Sequence, residues 1–385
     1  MPRNRVIYQS EGLYVSKDAS LIAADDHEQL GRVQSANYSF TINRQDVNQF
    51  GDLARIDSLV LDPPTVSLDF SYYLADGFNE RALGFFVQNS GAGNGSQRGI
   101  NGTAFDVGNF ASGHLQGNSG VNFYIVTSPN GEDLNKADPG EALNNTDTVI
   151  GVGNCYISDY SVDLSVGSLP TVNVTVEGAN MRSVAGSDTT GSPAVNQENG
   201  QALTTNIQLP PPTDDGGISG FKGGTPITAL RPGDVTLGLD NVSGESLVKL
   251  GTTAGAHIQS ASISLPLSRT PIDRLGSRFP FAREVDFPVN ATMNISAIVN
   301  EAASQNLASI LDSGVQAATI TVKDHDGNDA ILYTMSGIKI DSQSFSSSIG
   351  SNKTVDMTFS TQIGGPNDVT NGVFMSGLGA GKVFI

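Results

Sequence analysis

Four histidines (His27, His114, His257 and His325) and one cysteine (Cys155) are the side chains here best suited to metal binding or nucleophilic chemistry. Their spacing supplies neither. No two histidines stand in the HExxH spacing that holds a catalytic zinc. A lone cysteine makes no Cys-based zinc site and no intrachain disulfide. There is no Gly-x-Ser-x-Gly nucleophile turn. The run DHDGND, with Asp324, Asp326, Asn328 and Asp329, begins like a calcium loop. Its twelfth position, where such loops place a bidentate glutamate, is Met335. Asp-Gly is a favoured hairpin-turn pair, so a plain turn is expected. Near the C-terminus Gly377, Gly379, Gly381 and Lys382 imitate a phosphate loop, but Ser376 holds the first glycine position and Val383 the Ser/Thr position. The expectation is no catalytic residue, no cofactor and no metal.

A protein without a reaction centre must act through surfaces, and composition limits which. The 385 residues carry 21 Lys+Arg against 39 Asp+Glu, a net charge of −18. That balance opposes broad phosphate neutralisation on nucleic acid and a polybasic membrane anchor. No apolar run reaches the roughly 18 residues that span a bilayer, and residues 1–16 contain no apolar core of a secretory signal. A soluble, acidic protein of a reducing compartment is expected, with two or three domains at about 150 residues each.

The strongest signal is an internal duplication. Residues 33–74 align without a gap on 258–299, an offset of 225, with nine identities in 42 positions, among them Arg44/Arg269, Gly51/Gly276 and Pro63/Pro288. Residues 150–177 align on 333–360, an offset of 183, with eight identities in 28. The first copy therefore holds about 42 extra residues between the blocks, where glycine is densest. That stretch reads as an elaborated surface loop.

Within the blocks, apolar and polar residues alternate. Ala36, Tyr38, Phe40 and Ile42 repeat as Ala261, Ile263, Leu265 and Leu267, and Val172, Val174 and Val176 as Val355, Met357 and Phe359. This period of two marks strands with one wet face. A helical stripe follows the second strand of each copy: Ala303, Leu307, Ile310 and Leu311 between Asn300 and Gly314, matched by Phe78, Ala82, Phe85 and Phe86. The predicted class is mostly β: two tandem antiparallel β-sandwich or barrel domains, each with one flanking α-helix. The expected boundaries are an N-terminal arm 1–32, a first domain 33–185 with a glycine-rich insertion at about 91–135, a linker 186–224, and a second domain 225–385. Each copy also carries a connection far longer than a tight hairpin, 43–58 and 268–283.

This arrangement resembles the tail tube proteins of long-tailed bacteriophages, in duplication, strand pattern and the long loop between two early strands. The resemblance covers about 33–177 and 258–360. It implies a virion structural protein, not an enzyme, that assembles in the host cytoplasm with copies of itself. Trimeric pseudo-hexameric rings would stack into a tube through which DNA is ejected without specific binding. It implies contacts with tape measure, terminator and tail tip proteins, and none with membrane. It makes the long loops the contacts between rings, with Arg44, Phe50, Gly51, Arg269, Leu275 and Gly276 as candidates. The alternative is another virion structural protein: a capsid decoration, neck or tail-tip module. A carbohydrate-active enzyme is a more distant reading, since the chain has no Trp and no obvious carboxylate pair.

Overall fold

A computed structural model describes residues 11–23, 26–89, 97–98, 104–105, 108–116, 120–128, 134, 147–185, 189–197, 199–210, 230, 235–238, 256–277, 279–299, 316–323, 329–347 and 352–377. The chain is mostly β, as expected.

The first half contributes β1 (Glu11–Ser16), β2 (His27–Gln29), β3 (Val33–Thr41), β4 (Arg44–Val47), β5 (Asp57–Val60), β6 (Thr65–Tyr73), α1 (Phe78–Ala82) and β7 (Val87–Asn89). Then come β8 (Gln97–Arg98), β9 (Ala104–Phe105), α2 (Ser112–Gln116), β10 (Val121–Thr127), β11 (Thr148–Ser165), β12 (Thr171–Gly178) and β13 (Asn180–Ala185). A small pair follows, β14 (Thr189–Gly191) and β15 (Asn206–Gln208). The second half contributes β16 (Val235–Gly238), β17 (Ala256–Pro266), β18 (Arg269–Ile272), β19 (Ala282–Val285), β20 (Val289–Val299), β21 (Gln316–Lys323), β22 (Asp329–Ser346), β23 (Thr354–Ile363) and β24 (Gly372–Gly377).

The duplication is visible in the hydrogen-bond ladders. In the first half β3 pairs β6, β6 pairs β12 and β12 pairs β11; in the second β17 pairs β20, β20 pairs β23 and β23 pairs β22, all antiparallel. Registers agree residue for residue under the sequence offsets. Ser35 opposite Ser71 becomes Ser260 opposite Ser296, and Val162 opposite Val172 becomes Phe345 opposite Val355. Even the irregularities recur: the shift at Val33/Ser35 returns at Ile258/Ser260, and that at Ile157/Asp159 at Ile340/Ser342. A β-bulge re-aims a strand and increases its local twist, so both halves inherit the same bend.

The halves are not two sandwiches joined by a tether. β11 pairs antiparallel with β17, Val162 opposite Ile263, and fuses both four-strand runs into one eight-strand sheet of order β3–β6–β12–β11–β17–β20–β23–β22. The N-terminal parts of the long strands β11 and β22 turn into a second layer. There β11 pairs β10 and β13, β10 pairs β1 and β1 pairs β2; β22 pairs β21 and β24, and β21 pairs β16. The short β7 of the first half adds to β24 of the second in parallel. A single hydrophobic cluster runs through both halves, from Leu68 and Val174 to Met293 and Phe359.

Three expectations need correction. The glycine-rich insertion is not only a surface loop. Residues 108–116 and β10 are packed inside: Phe110 is 1 % exposed and stacks on Phe85 with ring centroids 4.3 Å apart. Asn109 donates to the carbonyls of Gly365 and Asp368, and the Ser112 hydroxyl donates to that of Pro366, so the segment wedges against the second half. Second, part of the expected linker is structure: Ala194, Val195, Ile207 and Leu209 are buried. Third, the helix predicted through Phe86 stops at Ala82; Phe85 and Phe86 lie beyond it, yet both are buried. The matching stretch 300–314 lies outside the described residues, as does most of 211–255.

Candidate functional site

The long connections fold as two hairpins, β4–β5 and β18–β19, identical in register under the offset of 225. Arg44 lies opposite Val60 in one, and Arg269 opposite Val285 in the other. Below each tip the Ile56 amide donates to the Val47 carbonyl and the Phe281 amide to that of Ile272. Gly51 and Gly276 turn the chain at φ +98 and +87, a left-handed region costly for a residue with a Cβ. Beside them Phe50 and Leu275 are fully exposed, as is Leu53. Large apolar side chains held out at a hairpin tip are covered by nothing among the described residues.

Four of the six predicted contact residues thus sit at the two tips. The two arginines differ. Arg44 is exposed at the base of the first hairpin. Arg269 faces inward: it donates to the His114 and Arg283 carbonyls and lies over the Tyr156 ring, 4.7 Å from its centre. Arg283, on the paired strand β19 opposite Pro271, reaches Glu177 at 3.3 Å. The second hairpin is therefore clamped onto the first half, while β4 and β5 are exposed almost throughout.

The outer edges of the eight-strand sheet form a second candidate. β3 at one end and residues 339–346 of β22 at the other carry a strand on one side only among the described residues. The apolar row of β3 lies open: Tyr38 is 44 % exposed, Phe40 59 % and Ile42 40 %. The equivalent residues on β17, Ile263, Leu265 and Leu267, are at most 2 % exposed, because β11 and its half cover them. Sequence alternation found the row but gave no sign that one copy would be uncovered.

The sheet's other face is polar. One row crosses it as Thr171, Asp163, Ser262, Asn294, Thr358 and Ser342. Asn173 donates to Asp163, and Thr358 to Asn294. A groove of about 460 Å³ opens on this face over the β11–β17 junction, with Asp163 and Asp356 among its walls. Asp69, Asp159 and Glu177 share the face, as their partners in the ladders show.

Of the titratable residues first considered, His27, His114 and Cys155 are buried. Burial holds the His114 imidazole down at about 3, neutral at physiological pH. Cys155 is buried and burial raises its thiol pKa, which makes it unreactive. Asp324, His325, Asp326 and Asn328, and the glycine run beyond Gly377, lie outside the described residues. Among the described residues no group of three or more His, Cys, Asp or Glu side chains could hold a metal, and no helix is long and apolar enough to cross a membrane.

A buried ionisable knot lies where the halves meet. Glu80 is fully buried and accepts hydrogen bonds from Tyr72 (2.9 Å) and Tyr160 (3.3 Å), and Tyr160 in turn bonds Tyr333 of the second half at 3.0 Å. Burial raises the Glu80 carboxyl to about 7, against partial compensation by its hydrogen bonds.

Neither a model of a known protein family nor a curated protein sequence matches the chain.

Proposed function

We propose that this protein is a self-assembling virion structural protein of the tail-tube kind: rings of three chains, two tube-like domains from each, stacked into a conduit for DNA. One observation carries the reading. The sheet ends on the same two kinds of edge that it already joins once internally. The β11–β17 junction unites the last strand of one run with the first strand of the next, and the free edges are again a last strand (β22) and a first strand (β3). A contact between two different edges is heterologous, and it closes into a ring when the rotation fits. Pairing the edges also removes the hazard of an unpaired strand.

The hairpins supply the axial contacts in this reading. Each half places one apolar tip, Phe50 or Leu275, clear of its own body. A ring of three chains would present six such tips to the next ring. The acidic polar face suits a wall along which DNA slides, since it repels phosphate.

Electron microscopy of the purified chain tests the reading. Stacked hollow rings with three-fold symmetry support it. Dispersed monomers, or rings with six whole chains, overturn it.

A further inference from the structure

The internal junction predicts the residue pairing of the junction between chains. The proposal rests on the ring reading above and adds its register. In the internal junction Val162 lies opposite Ile263, Asp163 opposite Ser262, and Ser161 opposite Ser264. Every other ladder of the sheet is duplicated under the offsets 183 and 225, bulges included. Carrying the internal junction over the same offsets gives one pairing only. We infer that β22 of one chain joins β3 of the next with Phe345 opposite Tyr38, Ser346 opposite Asn37, and Ser344 opposite Ser39.

Three observations converge on this register. First, strand directions alternate throughout the eight-strand sheet, so β22 meets a following β3 antiparallel, as β11 meets β17. Second, the residues brought together are those left uncovered. Phe345 is 44 % exposed and Tyr38 44 %, whereas their internal counterparts Val162 and Ile263 are 0 % and 2 %. Phe40 and Ile42 follow on the same face. Third, the polar side matches as well: Ser344 and Ser346 carry the serine-rich face of β22 onto Asn37 and Ser39 of β3.

The two junctions differ in chemistry, and the difference gives each a role. Inside the chain the facing pair is aliphatic and the joint is reinforced by Arg269 on Tyr156 and by Arg283 on Glu177. At the corresponding places between chains stand Arg44, Lys339, Ser58 and Ser360, which offer no matching ion pair or ring. The joint between chains depends instead on aromatic rings, Phe345 and Tyr38, with Lys353 lying 4.9 Å over the Phe345 ring.

Disulfide trapping in the full chain reads the register directly. Asn37→Cys with Ser346→Cys, and Ser39→Cys with Ser344→Cys, should cross-link on mild oxidation into chain-to-chain multimers ending at three. Asn37→Cys with Ser344→Cys, two residues out of step, should not. The buried Cys155 serves as the background in each single variant. Separately, Tyr38→Asp should melt like the parent as a monomer, because the side chain is exposed, and should fail to form rings. If the parent forms rings but the out-of-step pair cross-links as well as the in-step pairs, or the in-step pairs do not cross-link, the register is wrong and the ring reading survives. If the parent forms no rings at all, both fall.

Discussion

The phenolic oxygens of Tyr160 and Tyr333 lie 3.0 Å apart although 173 residues separate them in sequence. Tyr160 belongs to the first half and Tyr333 to the second. Beside them stands the buried Glu80 carboxyl, whose Oε1 accepts from both Tyr160 and Tyr72. Phe110 of the wedge packs on both tyrosine rings, 5.0 Å from Tyr160 and 6.3 Å from Tyr333. The halves thus share an interior as well as a sheet, and the Tyr160–Tyr333 bond ties the polar knot of the first half to the second.

Glu80 should make stability fall as pH rises. Burial lifts its carboxyl from 4.5 to about 7 in the folded chain. An acid whose folded value lies above its unfolded value binds more protons when folded, so stability is lost between those two values as pH increases. The full effect is on the order of a few kcal/mol. The buried imidazoles His27 and His114, both lowered, act oppositely and weaken the fold as pH drops below about 6.5. Glu80→Gln isolates the carboxyl: the difference in melting temperature between parent and variant should change between pH 4.5 and 7 and level off above. Parallel pH profiles would remove Glu80 from the account.

Phe110→Ala tests the wedge. A fully buried phenylalanine replaced by alanine costs about 3–5 kcal/mol, and here the loss falls on contacts to both halves. Denaturant unfolding should show a loss of that size. A loss below about 0.5 kcal/mol, the usual scale for a surface position, would mean that the segment is a surface loop after all.

The repeat and the alternating strands were legible because each is carried by short stretches of sequence, whereas the long connections, irregular in sequence, fold as the hairpins β4–β5 and β18–β19. Offsets of 225 and 183 follow from aligned residues, and the alternation at 36–42 and 261–267 shows strands wherever they end up. Gly51 and Gly276 stood out only as matched glycines; that they turn the chain at positive φ came from the structure. What escaped was non-local. VNFYIVT in β10 is buried on nearly every residue, so it has no alternation to show, and the surrounding glycines disguised it. The pairing of β11 with β17 joins segments about 100 residues apart, and no local pattern encodes which edge a strand will choose. For the same reason Arg269 looked like the equal of Arg44, although one faces a tyrosine ring and the other solvent.

Phe50→Asp combined with Leu275→Asp should leave the melting temperature near that of the parent, since both side chains are fully exposed. Tubes should shorten or vanish, as seen by negative-stain microscopy, while single rings persist. Tubes of parental length would rule out the tips as the axial contact.

Asp163 and Asp356 flank the groove on the polar face. In assembled tubes they should line the channel, and parental tubes should hold no DNA at low salt. Changing both to Lys should create retention that weakens steeply with added salt, because each lysine that contacts a phosphate contributes to the salt slope. Retention by the parent, or a map placing this face outward, would contradict the assignment.

The β11–β17 junction has a kinetic consequence. Because its two edges belong to one polypeptide, it forms at an effective concentration set by chain geometry and is indifferent to how dilute the protein is. The joint between β22 and β3 of different chains has no such tether and must wait for collision. In the proposed ring, fusing two tube units halves the joints that must form by collision and leaves a single kind of joint under the control of protein abundance. Each chain there is a ready-made arc of two units out of six, and closure waits until the concentration of such arcs is high enough for them to meet.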